Sequence, residues 1–196
     1  MAHNLESIEA WRSLSPLSIA ETQQLQPHSA LMPVDNRRLS IEGYCGMGQL
    51  CSEEERQQLV DLFTKLHQMK LPMVFAFVYD LLWEKLFTVG LSIAASIEDE
   101  LVALPAFWAW YVDPQKGAAG WPPHRDRGNQ ALDSNGKVLC YNSWFALTDA
   151  TPDNGCMYVL PKDLDEHYGI SQTADCELQS IRALTTTAGQ GWVWDQ

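Results

Sequence analysis

Gly120-Trp121-Pro122-Pro123-His124-Arg125-Asp126-Arg127 sets an imidazole and a carboxylate two residues apart, just after a proline pair and in a Trp-rich, apolar neighbourhood. On a β-strand, residues i and i+2 face the same side. The pattern therefore predicts His124 and Asp126 side by side, with Arg125 pointing away. Together they would supply two of the three donors in the facial 2-His-1-carboxylate set, which holds non-haem Fe(II) and leaves coordination positions open. A His-x-Asp tripeptide also occurs as a plain structural ion pair, so the weight rests on its surroundings.

Downstream of His124 the chain has the texture of short strands. The segments 138–147, 156–160, 181–185 and 192–194 are rich in β-branched and aromatic residues, and polar turns separate them. Asp133-Ser134-Asn135-Gly136 carries a hairpin-type Asn-Gly, and residues 148–155 form a second polar turn. Upstream, the aromatic run 106–112 reads as a further strand, and His124 and Asp126 as the next short one. Before Pro105 the periodicity is helical. Ser52-Glu53-Glu54-Glu55 is a capping box, and Leu59, Leu62, Phe63, Leu66 and Met69 come after it on one stripe. His67 sits at the edge of that stripe as a boundary residue. Asp80 caps a second helix carrying Leu82, Trp83, Leu86 and Phe87, and residues 91–104 form a third. Helices before a run of short strands predict an α+β fold with a β-sandwich or jelly-roll core.

The N-terminal residues 1–40 are weakly patterned and read as an extension, anchored by Trp11, Leu14, Leu17 and Ile19, before a domain over 41–196. Residues 41–44 look like the strand that enters that domain. Gly46-x-Gly48 comes next, but it lacks the further glycines and the Lys-Ser/Thr of a phosphate loop.

Composition narrows the function classes. Lys and Arg number 13 against 25 Asp and Glu, a net charge of −12, so nucleic acid and anionic membrane are not expected partners. Five cysteines without C-x-x-C spacing argue against a disulfide framework and a zinc-thiolate site, and read as reduced residues of a cytoplasmic protein. The first twenty residues show no signal-peptide pattern, and the longest apolar stretch, 71–79, is too short to span a bilayer and contains Pro72.

Taken in order, several pieces resemble the phytanoyl-CoA dioxygenase family of Fe(II)/2-oxoglutarate oxygenases. Glu42-Gly43-Tyr44, then Ser52-Glu53-Glu54 and an amphipathic helix, resemble the family's opening. His124-Arg125-Asp126 matches its H-x-D. Trp144-Phe145-Ala146-Leu147-Thr148-Asp149 is similar to its W-x-A-L-x-D strand and loop. Asn154-Gly155-Cys156-Met157-Tyr158-Val159-Leu160-Pro161 looks like its N-G-x-x-x-V-x-P strand, and Gly189-Gln190-Gly191-Trp192-Val193-Trp194 like the strand running into the second metal histidine.

The resemblance implies a double-stranded β-helix core with N-terminal helices packed on it. It implies Fe(II) on His124 and Asp126, and 2-oxoglutarate as cosubstrate near Trp144 and, by alignment on Asp113-Pro114, near Ala109. The implied reaction is hydroxylation of a small-molecule C–H bond with succinate and CO2 as co-products. There are two departures from the family pattern. Pro161-Lys162-Asp163-Leu164 replaces the family's P-G-S-H, and the third ligand histidine and the basic partner of the cosubstrate's distal carboxylate would fall beyond Gln196. A C-terminally truncated, incomplete domain is the resulting expectation, inactive and a poor binder of Fe(II) as this chain alone, with the activity belonging to the intact protein. His167, within the acidic cluster of Asp163, Asp165 and Glu166, lies too early in the strand order to serve as that histidine, and the cluster reads as a solvated patch. Competing readings are a non-catalytic jelly-roll protein that binds an apolar small molecule, and a cupin-like metal enzyme without 2-oxoglutarate. No serine-hydrolase elbow, zincin motif or glycosidase carboxylate pair is present.

Overall fold

The capping box at Ser52 is present. Ser52 Oγ accepts from Glu55 N at 3.2 Å, and Glu55 Oε2 accepts from Ser52 N at 2.7 Å. In this computed structural model the chain divides into two units, one of Met1–Met32 with Cys51–Tyr111, the other of Pro33–Leu50 with Val112–Gln196. Residues 5, 7–20, 30–104, 106–113, 115, 122–126, 131–169 and 178–195 are described. His3, His28, Trp121 and Cys176 lie outside them. Residues 1–40 are shared between the two units.

The first unit is helical. Helix α1, Ile8–Leu14, is capped by Ser7, and its Trp11 is buried edge-on against Phe75 at 5.5 Å. The Tyr79 hydroxyl donates to the Trp11 carbonyl at 2.7 Å, and residues 18–20 run antiparallel to 78–80. Helix α3, Glu53–Gln68, buries Leu59, Leu62 and Leu66, the expected stripe. A 3-10 turn, Met73–Val78, leads into α4, Asp80–Ile97.

Two details of α4 correct the sequence reading. Its N-cap is Tyr79, so Asp80 is the first helical residue rather than the cap. Of the third helix expected over 91–104, residues 91–97 are the second half of α4, because neither Gly90 nor any proline interrupts the apolar periodicity, and 98–104 form no helix. The helix closes where Glu98 turns left-handed, at φ 54°.

The aromatic run 106–112 also departs from expectation, since no strand forms among its described residues. Strand propensity requires a partner ladder. Here the rings pack instead: Phe107 against Phe63 and Phe77, and Tyr111 stacked on His67 at 4.4 Å. His67 is thus the boundary residue expected.

The second unit carries the sheets. Of residues 41–44, expected to enter as a strand, only Tyr44 does. Asp35 caps a short helix α2, Asn36–Glu42, and Gly43 ends it in the left-handed region at φ 77°. Strand β1, Tyr44–Gln49, comes directly after. It pairs antiparallel with β5, Gln190–Trp194, which pairs antiparallel with β2, Asn142–Phe145, giving the order β1-β5-β2. Strands β3, Met157–Val159, and β4, Arg182–Leu184, form a second antiparallel pair. Helices with antiparallel sheets make the fold α+β.

Register decides which side chains share a face. Tyr44, Trp194 and Asn142 are aligned across the three strands, and next to them Gly46, Trp192 and Trp144. Cys45 and Val193, also opposite one another, point the other way and are buried with Met47. The strand expected over 138–147 is shorter than its composition suggests. Val138 only bridges Leu132 across the Asp133–Gly136 turn, and the ladder starts at Asn142.

Candidate functional site

Residues 122–126 do not form the short strand expected of them. Pro122 and Pro123 have no N–H to give a ladder. The two side chains nevertheless converge: His124 Nε2 lies 3.1 Å from Asp126 Oδ1.

The imidazole's other nitrogen defines its chemistry. His124 Nδ1 lies 2.8 Å from the Pro122 carbonyl oxygen, which can only accept, so Nδ1 carries the proton. In a neutral ring Nε2 then presents its lone pair toward a carboxylate, a contact between two acceptors. Either a second proton or a cation resolves it. A metal-bound histidine commonly has its remote N–H on a backbone carbonyl in this way. The two atoms, Nε2 and Oδ1, are close enough that both could serve one divalent cation.

Asp126 is held from the sheet. Its Oδ2 accepts from Asn142 Nδ2 at 2.6 Å and from the Trp194 indole Nε1 at 2.9 Å. Asn142 and Trp194 are register partners on β2 and β5, so the carboxylate docks across one rung of the ladder. Its other oxygen is left facing His124.

Arg125 points elsewhere, as alternation predicts. Its guanidinium forms a two-armed ion pair with Asp165, with Nη2 to Oδ1 at 2.7 Å. Both side chains are nearly buried, at 9% and 5% exposure, whereas His124 and Asp126 keep 43% and 31%. Burial pushes the Asp165 carboxyl upward, but the Arg125 hydrogen bonds and the His167 N–H outweigh it and hold it below the usual carboxylate range. The acidic cluster is therefore only partly a solvated patch: Asp163, Glu166 and His167 are exposed, and Asp165 is not. Among the described residues no three His, Cys, Asp or Glu side chains lie close enough to hold a metal, so the His124–Asp126 pair gains no third donor from His167.

Trp144 is half-buried on β2 against Ala146, Ala150 and Cys156, opposite Trp192, whose Nε1 donates to Thr186 Oγ1 at 2.9 Å. It lies two residues from Asn142, on the same strand face. Ala109 belongs to the first unit and is half-buried there, in a stretch that also holds the exposed Trp108, Trp110 and Tyr111. A cavity of about 310 Å³ lies elsewhere in the second unit. Asp35, Arg38, Cys45 and Trp192 are among its lining residues, and neither His124 nor Asp126 is. No disulfide joins any two of the four described cysteines.

The sequence reading gives Asn142, Trp194 and Asp165 no role at the site: Trp194 enters it only as a strand residue and Asp165 only as part of a solvated acidic patch. The first two had a signal: each sits two residues from a tryptophan on its strand, Trp144 and Trp192, and so shares that tryptophan's face.

The phytanoyl-CoA dioxygenase family model matches residues 88–171, a span that includes Ala109, His124, Asp126 and Trp144, and supports the resemblance read from the residues. Members of that family are generally dioxygenases dependent on Fe(II) and 2-oxoglutarate. No curated protein and no solved structure matches the chain.

Proposed function

We propose that this chain is part of an Fe(II)/2-oxoglutarate-dependent oxygenase whose intact form hydroxylates a C–H bond of a small molecule. The observation that carries the reading is the convergence of His124 Nε2 and Asp126 Oδ1 at 3.1 Å, with each group's remote atom anchored. His124 and Asp126 would hold the iron. Two protein donors leave the remaining positions to cosubstrate, water and groups outside the described residues. With 2-oxoglutarate and O2, iron in this position supplies oxidising power for C–H hydroxylation, and succinate and CO2 are the co-products.

The chain's own residues supply geometry. The Pro122 carbonyl fixes the protonated nitrogen of His124, so the lone pair stays on the nitrogen aimed at Asp126. Asn142 and Trp194 hydrogen-bond one oxygen of Asp126 and leave the other facing His124. Trp144, on the same face, is the proposed cosubstrate contact. The two antiparallel sheets are proposed to be part of a double-stranded β-helix.

The test is turnover of 2-oxoglutarate to succinate by a full-length version of the protein with Fe(II) and ascorbate under air. His124→Ala and Asp126→Ala should each abolish it. Undiminished turnover in either variant would refute the ligand assignment.

The 3.1 Å distance also suits a direct hydrogen bond from a protonated imidazole, which supports a second reading as a non-catalytic binding protein. Iron-independent binding of an apolar small molecule, without succinate formation, would favour it.

A further inference from the structure

We propose that the buried Arg125–Asp165 ion pair is a positioning clamp that sets the orientation of His124 and Asp126. The inference concerns the residue between the two proposed ligands, and only its metal-binding arm rests on the oxygenase reading.

Segment 122–126 has no strand pairing to hold it, so its side chains must fix it. Arginine is seldom buried unless paired, yet Arg125 is the most enclosed of the three consecutive side chains. Its planar fork meets the carboxylate through two parallel bonds, which fixes an orientation as well as a distance. A single-point ammonium contact would leave the loop free to rotate about it. With Arg125 pinned inward, the flanking positions are turned outward together.

The anchor is itself braced. The Asp165 amide donates to Lys162 O at 3.2 Å, and its carbonyl accepts from Tyr168 N at 3.1 Å. Asp165 Oδ1 also accepts from His167 N at 3.0 Å. Lys162 pairs with the buried Asp195 at 3.3 Å and lies 4.5 Å over the Tyr168 ring. Asp195 directly follows Trp194, the donor to Asp126. The contacts thus close a ring: Arg125 to Asp165, through the turn to Lys162, to Asp195, along the chain to Trp194, and back to Asp126. Loosening one side should loosen the other.

The experiment compares the metal-free protein with Arg125→Met and with the double variant Arg125→Met/Asp165→Leu, which leaves no unpaired buried charge. Proton–nitrogen spectra track the indole N–H of Trp194, with the Trp192 indole N–H, bonded to Thr186, as internal control. The clamp predicts exchange about tenfold faster at Trp194 with Trp192 unchanged. It also predicts Mn2+ binding, as a redox-stable probe, weakened about tenfold. Unchanged Trp194 exchange in the folded double variant would overturn the proposal. Equal acceleration at both indoles, or loss of the fold in both variants, would show a general structural role and would overturn it too. If His124→Ala leaves Mn2+ binding unaltered, the metal reading fails, while the Trp194 result still decides the clamp.

Discussion

The indole N–H of Trp194 donates to Asp126 Oδ2 at 2.9 Å, tying β5 to a loop 68 residues earlier in the chain. Asn142 gives the same oxygen a second bond at 2.6 Å. Trp194→Phe keeps an aromatic ring on the sheet but removes one donor to a partly exposed carboxylate. The stability loss should be small, about 1 kcal/mol. Mn2+ affinity should fall about tenfold, because an outer partner orients the ligand it touches. Denaturant melts and Mn2+ titration of the same preparation separate the two effects. A large stability loss with unaltered metal binding would make Trp194 a packing residue only.

Gly43 is where α2 stops and β1 begins, and its backbone is left-handed at φ 77°. A Cβ there would lie 2.9 Å from both Asp195 Oδ1 and Lys162 Cβ. Gly43→Ala therefore meets backbone strain and a steric conflict with the Lys162–Asp195 pair. The expected cost is about 2 kcal/mol or more, a fall in Tm of roughly 5 °C. Calorimetry should show it. Gly136→Ala shares the positive φ but has open space around it, and should cost less.

Sequence and structure part company where tertiary partners decide. The capping box at Ser52 and the Leu59, Leu62, Leu66 stripe were legible because both are local, set by spacings of three and four residues. The 106–112 run was not, because alternating aromatics give the same pattern whether they pair as a strand or stack on a neighbouring helix, as Tyr111 does on His67. The relative facing of His124, Arg125 and Asp126 came out as strand alternation predicts, with the flanking pair together and Arg125 opposite, although the segment forms no strand. Its anchors were not legible, since Asp165 and Trp194 are 40 and 68 residues away from the residues they hold.

Thiol reactivity should rank by environment. Burial pushes the Cys51 thiol up to about 11 and the Cys45 thiol above its ordinary value, so at pH 8 neither presents appreciable thiolate. Cys140 is only half-buried. Ellman's reagent on the native protein should therefore label Cys140 well before Cys45 or Cys51, and all should react in guanidinium. Mass spectrometry of the modified peptides assigns the order. Early labelling at Cys51 would contradict its burial.

Lys85 is 2% exposed inside the helical unit, and its Nζ reaches Glu55 Oε1 at 2.7 Å. Glu55 has two tasks, because its other oxygen accepts the Ser52 N–H of the capping box. Burial raises the Glu55 carboxyl, but the hydrogen bonds from Lys85 and Ser52 more than offset this and leave it below its ordinary value of 4.5. A carboxyl depressed in this way contributes stability that is complete above its unfolded value, near pH 4.5, and is lost as pH falls through the lower folded value. Glu55→Gln keeps a group able to accept from Ser52, but should flatten stability against pH in that acid window. Glu55→Ala leaves the buried ammonium with Glu84, 3.6 Å away, as its ion-pair partner among the described residues, and should cost about 3 kcal/mol or more at pH 7. Urea melts from pH 3 to pH 7 on the three proteins decide the point. An alanine variant as stable as the parent would mean that the pair contributes nothing net to the helical unit.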